Sequence, residues 1–269
     1  MKNHLNFLFI GIAILLVGPS LAKISGERPE SANQTDHADT LSMWRADAES
    51  GSVGAQSRLC YMYSNGVGVS MDKEAAVDWC RLGAKQGDDS SQYLLGKAYR
   101  IGQGVARDPK EAARWFLASA QQGYSLAQLD LGTMYLYGEG IAKDYKNAVN
   151  WYRQSAEQGN ARAQNQLGYM YDLGYGVLQD DKEAIRWYRM SAEQGNSYAQ
   201  NHLGTMYNAG EGVTLNRVYA HMWYNIAAAD GHPVASDNRE NIANQMTKDQ
   251  IAEAQRLARE CVKKNYKDC

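Results

Sequence analysis

Apolar, aromatic and small residues recur along this chain with one fixed spacing. The tryptophans stand 36 residues apart, at Trp79, Trp115, Trp151, Trp187 and Trp223. Glutamine, leucine, tyrosine and paired glycines repeat with the same period, beginning at Gln56, Leu59, Tyr63 and Gly66/Gly68. A constant period of this length is typical of stacked supersecondary units. The pattern therefore predicts five repeats over residues 53–231.

Within one unit the pattern predicts two helices. In the third unit, Ala127, Leu131 and Tyr135 recur every four residues, which places them on one face of a helix. Gly138 can adopt a positive φ and end that helix. Asp144 then has the right position and side chain to be the N-cap of a second helix. Each unit is thus predicted to be an antiparallel helical hairpin with short turns.

A single hairpin cannot bury its own apolar face, so its neighbours must stack on it. The predicted fold is all-α, a right-handed α/α superhelical solenoid of 36-residue helical hairpins. Residues 40–52 are expected to form an N-terminal capping helix, and residues 232–269 to form C-terminal capping helices. Thr247 and Gln250 have the spacing of a capping box at the start of the last helix.

The first residues have the pattern of a secretory signal peptide. Residues 5–17 are almost entirely apolar, and Ser20 and Ala22 put small residues at the −3 and −1 positions of a cleavage site. We predict a signal peptide over 1–22, a disordered linker over 23–39, and a periplasmic or secreted mature chain without stable membrane insertion. An uncleaved membrane anchor is the alternative, although the apolar run is short for roughly 30 Å of hydrocarbon.

Charge and motifs narrow the range of functions. The chain has 28 Lys and Arg against 30 Asp and Glu, which argues against nucleic acid as a partner, because its binders usually carry a basic surplus. The sequence contains no H-E-x-x-H, no G-x-S-x-G and no P-loop lysine motif. The Gly-x-Gly pairs recur at a helix end in every unit, so turn geometry explains them. We therefore predict no enzymatic activity, no cofactor and no metal site.

The fourth unit shows the repeat in its complete form. Residues 161–196 follow the pattern A-x-A-Q-x-x-L-G-x-M-Y-x-x-G-x-G and then D-x-x-x-A-x-x-W-Y-x-x-S-A-E-Q-G-N. This pattern resembles the SLR family, the Sel-one-like repeats, and the resemblance covers residues 53–231. It implies an α/α solenoid related to tetratricopeptide arrays. It also implies a usual role as an adaptor or scaffold, often in bacterial secretory or periplasmic settings.

The first unit departs from the pattern at two cysteines. Cys60 stands where other units have Gly, and Cys80 stands where they have Tyr or Phe. The two positions lie at about the same height on antiparallel helices, so two small side chains there are close enough to bond. In an exported chain we predict a Cys60–Cys80 disulfide and, by elimination, Cys261–Cys269. Two buried free thiols are the alternative for the first pair.

The candidates for partner binding are the positions of the first helices that do not repeat. In tetratricopeptide-like solenoids the first helix of each hairpin lines the concave face, and Tyr and Arg are enriched at interface hot spots. The predicted set is Arg58, Tyr61, Tyr93, Lys97, Asp130, Tyr137, Arg162, Tyr169, Tyr198 and His202. The alternative for each is an ordinary surface residue of a tyrosine-rich chain.

These observations predict a protein–protein interaction scaffold or adaptor that binds another protein or a peptide on its concave face. Cysteine-rich secreted relatives suggest an alternative, a binder or hydrolase of cell-wall or β-lactam compounds. A purely structural array without a dedicated groove is a third possibility.

Overall fold

The computed structural model describes residues 34–269, which form thirteen helices and no strand. The capping helix and the first two units are α1 Gln34–Glu49, α2 Val53–Asn65, α3 Lys73–Lys85, α4 Asp89–Ile101 and α5 Pro109–Gln121. The next three units are α6 Ser125–Tyr137, α7 Tyr145–Glu157, α8 Ala161–Leu173, α9 Asp181–Ala192, α10 Ser197–Ala209 and α11 Arg217–Ala229. The chain ends with α12 Ala235–Ala243 and α13 Lys248–Lys263. Consecutive helical hairpins therefore pack into the solenoid that the period predicts.

The first helix begins earlier than expected. The sequence placed a disordered linker up to residue 39, but α1 starts at Gln34, so that boundary was wrong. No Gly or Pro lies between residues 34 and 49, and nothing in this stretch stops helix propagation. The predicted signal peptide and residues 23–33 of the predicted linker lie outside the described residues. Within 34–269, no helix is long and apolar enough to cross a membrane.

The caps predicted from sequence are present in the hairpins. Gly138 has φ +73° and its N–H donates to the Met134 carbonyl, which ends α6. The Asp144 carboxylate accepts a hydrogen bond from the Asn147 N–H at 3.0 Å at the start of α7. Thr247 forms the expected capping box at the start of α13. These local signals fix where each helix begins and ends.

Within units two to five, a glycine of the first helix packs against an aromatic ring of the second helix. A Cβ added to Gly168 would lie 2.7 Å from the Tyr188 ring, and one added to Gly132 would lie 2.8 Å from the Tyr152 ring. Both rings are fully buried. A bare backbone is therefore needed at this position, because any side chain would overlap the ring.

The first unit replaces this contact with a covalent bond. Cys60 and Cys80 form a disulfide, with their Cα atoms 4.8 Å apart, and both are buried. A second disulfide joins Cys261 to Cys269 and holds the end of the chain beside α13. Both pairs have the connectivity expected from the sequence.

Consecutive units are joined by close backbone contact and by buried glutamines. A Cβ on Gly140 would lie 2.2 Å from the Pro109 carbonyl oxygen of the preceding unit, and Gly140 has φ +70°. Gln194 Nε2 donates to Gln164 Oε1 at 2.8 Å, and Gln164 Nε2 donates to the Ala156 carbonyl at 3.1 Å. Because equivalent bonds occur in the first three units, the glutamines form a repeated link along the stack.

Candidate binding surface

Five positions on one side of each first helix form a continuous stripe, which we call the first-helix face. In the fourth unit it comprises Arg162, Asn165, Gln166, Tyr169 and Leu173 and, in the other units, the residues a multiple of 36 positions away. Spacings of three and four residues put these positions on one side of a helix. All ten residues predicted for partner binding lie at positions of this stripe. Their surroundings differ from unit to unit.

At the N-terminal end, Arg58 and Tyr61 lie beside the capping helix. The Arg58 guanidinium carbon lies 4.8 Å from the centroid of the Trp44 ring, a cation–π distance. Tyr61 is half exposed. Together with Met62 and Val67 they line an open cavity of about 750 Å³. The sequence analysis did not include Trp44 among the binding residues, although it is the one tryptophan of the described residues that does not follow the 36-residue spacing.

In the second and third units, the predicted residues are engaged with one another. Arg100 Nη1 forms an ion pair with Asp130 Oδ1 at 3.0 Å, and both side chains are largely buried. Burial, and then the neighbouring Asp130 carboxylate with its hydrogen bond, raise the pKa of Tyr93. Lys97 is exposed, with its Nζ 5.6 Å from the Tyr93 ring centroid. Asp130 and Tyr93 therefore hold two units together and present little free surface.

Three predicted residues from three successive units come together in one open groove. Tyr137, Arg162 and Tyr198 line it, and its volume is about 350 Å³. Tyr137 is 72% exposed and Tyr198 is 55% exposed. Arg162 is also exposed, and it forms no ion pair within residues 40–269. The remaining lining residues, which the sequence did not single out, are Leu129, Thr133, Asn165, Gln166 and Asn196.

Tyr169 and His202, the last two predicted residues, are in ring contact beside this groove and do not line it. The His202 ring stacks on the Tyr188 ring, with centroids 4.6 Å apart and an interplanar angle of 13°. Burial, with a smaller contribution from His232, lowers the pKa of His202 to about 4, so it is neutral at pH 7. The Tyr188 hydroxyl donates to the Asp172 carboxylate at 3.1 Å. His202 thus contributes chiefly to the packing between the fourth and fifth units.

The groove on this face is lined by aromatic, apolar and polar side chains. The Thr133 hydroxyl in the groove donates to the Leu129 carbonyl at 3.0 Å and accepts from the Tyr152 hydroxyl at 3.1 Å. The described residues contain no group of three or more His, Cys, Asp or Glu side chains that could hold a metal ion. The groove offers aromatic surface, side-chain amides and the Arg162 guanidinium, which is in no ion pair of the described part of the chain.

This architecture defines a class of protein. Stacked helical hairpins with an exposed, variable stripe form an α/α solenoid of the kind that serves as a protein–protein interaction scaffold. Residues 53–88, 89–124, 125–160, 161–196 and 197–232 each match the family model described as Sel1 repeat. The chain therefore belongs to the Sel1 repeat family, as its sequence pattern predicted. Members of this family are in general scaffolds and not enzymes.

The chain is also similar to solved structures. The chain is similar to a Sel1 repeat protein from Oxalobacter formigenes, with 28% identity, a TM-score of 0.67, and coverage of 85% of this chain and 100% of that chain. A sel1 repeat protein from Klebsiella pneumoniae subsp. pneumoniae matches with 22% identity, a TM-score of 0.48, and coverage of 76% and 99%. A search of curated proteins finds no match.

Proposed function

We propose that this chain is an exported adaptor that binds a partner protein through its first-helix face. The observation that carries the proposal is the groove of Tyr137, Arg162 and Tyr198. Two exposed aromatic side chains and one unpaired guanidinium converge there from three units. Aromatic residues and arginine supply most of the binding energy at protein interfaces. The scaffold beneath them is rigid, because each unit is fixed to the next by buried contacts.

The proposed location outside the cytoplasm is supported by the cysteines. All four are paired in two disulfides, and such bonds persist in oxidising compartments. The apolar segment at residues 5–17 supplies a route for export. Together they favour the periplasm or the secreted space.

The partner can be captured from the cells that make the protein. We would cross-link the full chain in its native compartment, purify it, and identify the bound protein by mass spectrometry. The double variant Tyr137→Ala with Tyr198→Ala should then reduce binding of the purified partner at least tenfold, a loss of about 1.4 kcal/mol.

The matched control removes exposed apolar side chains from second helices. Leu82 and Met190 are exposed on α3 and α9, and Leu82→Ala with Met190→Ala should leave the affinity unchanged. The proposal would be wrong if the groove variant, folded as judged by circular dichroism, bound the partner as the parent chain does.

A further inference from the structure

One buried amide in the groove lacks a hydrogen-bond partner. Asn165 is 8% exposed, and its Oδ1 accepts no hydrogen bond. Its Nδ2 makes only a long bond of 3.4 Å to Gln166 Oε1. A buried acceptor without a partner destabilises the fold, because it has lost its hydration and gained no hydrogen bond in return. Nearly all buried polar atoms are paired in folded proteins, so this oxygen needs an explanation.

The fifth unit shows how the same position is satisfied elsewhere. Asn201 stands 36 residues after Asn165 and is equally buried, but its Oδ1 accepts from Asn238 Nδ2 at 2.9 Å. Asn238 belongs to α12, and the residue 36 positions before it is His202. The His202 ring is stacked on Tyr188, and no donor among the described residues bonds to Asn165 Oδ1. The fourth unit therefore lacks a counterpart of the Asn238–Asn201 hydrogen bond, and the unsatisfied oxygen belongs to a residue that lines the groove.

The surroundings of Asn165 indicate what could supply the missing donor. Arg162 lies one helical turn earlier and forms no ion pair with the described residues, which favours a carboxylate in the ligand. Tyr137 and Tyr198 offer exposed rings on either side of it along the stack. An extended polypeptide carries an N–H at every residue except proline, and its side chains can include both carboxylates and apolar groups.

We propose that the groove binds an extended, acidic segment of a polypeptide, with a backbone N–H of the segment donating to Asn165 Oδ1. A carboxylate side chain of the segment pairs with Arg162, and its apolar side chains pack against Tyr137 and Tyr198. This inference rests on the proposed function, because it specifies the chemistry of the partner at the same face. Reaching Asn165 requires the rim side chains of the groove to move aside.

The test uses a library of random twelve-residue peptides, displayed between two folded domains so that no free terminus is available. Peptides selected on the full chain should be enriched in Asp or Glu. Their dissociation constants are then measured by fluorescence anisotropy for the parent chain and for Asn165→Leu and Arg162→Gln. Leucine fits the site, because Leu129 occupies the same position in the third unit. Each variant should bind at least tenfold more weakly while keeping the parent's melting temperature or exceeding it.

Two double-mutant cycles assign the contacts. Methylating one backbone nitrogen of the peptide should weaken binding to the parent chain and have little further effect on Asn165→Leu. Changing the peptide's acidic residue to its amide should likewise have little further effect on Arg162→Gln. As the control, Asn201→Leu removes an internal hydrogen bond outside the groove and should leave the peptide affinity unchanged.

The outcomes separate this inference from the proposed function. Peptides that bind equally well to Asn165→Leu and the parent, or a library that yields no binder, would overturn the inference. If the natural partner still depended on Tyr137 and Tyr198, the proposed function would stand without it. Loss of affinity in Asn201→Leu equal to that in Asn165→Leu would also overturn it, since the effect would then follow from packing alone.

Discussion

The first and fourth units solve the same packing problem with different chemistry. In the fourth unit the Tyr188 ring lies against the bare backbone of Gly168, where an added Cβ would be 2.7 Å away. In the first unit Cys60 and Cys80 occupy those two positions, and a disulfide joins the helices. Both arrangements are buried. The close approach of the two helices is therefore the fixed requirement of the fold, and the residue pair that provides it can change.

The two arrangements also respond to different conditions. The disulfide of the first unit is sensitive to reductants and does not titrate. The ring of the fourth unit is stacked on His202 and hydrogen-bonded to Asp172, both of which can titrate. The N-terminal end of the array is thus sensitive to redox conditions, and the region beside the groove is sensitive to pH.

The largest expected effect comes from opening the disulfide of the first unit. Cys60→Ala with Cys80→Ala should lower the free energy of unfolding by about 3 kcal/mol, because the unfolded chain loses a cross-link and the native core loses volume. Urea unfolding followed by circular dichroism measures this. If the two contacts are interchangeable, Cys60→Gly with Cys80→Tyr should recover part of the loss. A swap that is less stable than the alanine pair would contradict that equivalence.

A smaller loss of stability is expected when a side chain is added at the glycine position of the fourth unit. Gly168→Ala forces a methyl group into the Tyr188 ring and should destabilise the chain by about 1–3 kcal/mol. Helix propensity alone predicts the opposite sign, a gain of about 1 kcal/mol. Gly54→Ala is the matched control, since a Cβ there meets nothing within 4 Å. Thermal melts should show a lower midpoint for the first variant and an equal or higher one for the second.

A third effect is a pH dependence of the stability, carried by His202. Its pKa is about 4 in the folded chain and about 6.5 when unfolded. Between these values the unfolded chain binds the extra proton, so the free energy of unfolding falls as the pH is lowered from 6.5 to 4, by about 1–3 kcal/mol. The neighbouring His232 also has a lowered pKa and acts in the same direction. Asp172 has a pKa raised by burial and opposes it.

The variant His202→Phe isolates this contribution. Phenylalanine can still stack on Tyr188 but cannot take up a proton. The difference in stability between parent and variant should therefore change across pH 4–6.5 and be constant above pH 7.5. A difference that does not vary with pH would show that His202 has an ordinary pKa.

The repeat made most of the fold predictable from sequence. The period fixed the hairpins, and the shared departure of Cys60 and Cys80 from it pointed to their pairing. The start of α1 was missed, because no repeated residue marks it. For the binding face, the sequence predicted only a set of ten candidate residues on the first helices. Which of them are free depends on contacts between units, such as the Arg100–Asp130 ion pair, and a one-dimensional pattern does not contain these.

Asn165 illustrates the same limit. In the sequence it resembles Asn201, its counterpart one unit later. Only the three-dimensional arrangement shows that Asn238 donates to the amide oxygen of Asn201, while His202 stacks on Tyr188 and no described residue donates to Asn165 Oδ1.

Photo-cross-linking in living cells tests most directly whether the first-helix face is where a partner binds. A photoreactive amino acid replaces Tyr198 in the groove or, in a separate strain, Met190 on the second helix α9; both side chains are exposed. We predict that Tyr198 gives one defined cross-linked protein and that Met190 gives none. Cross-links to the same protein from Met190 alone would contradict the assignment of the face.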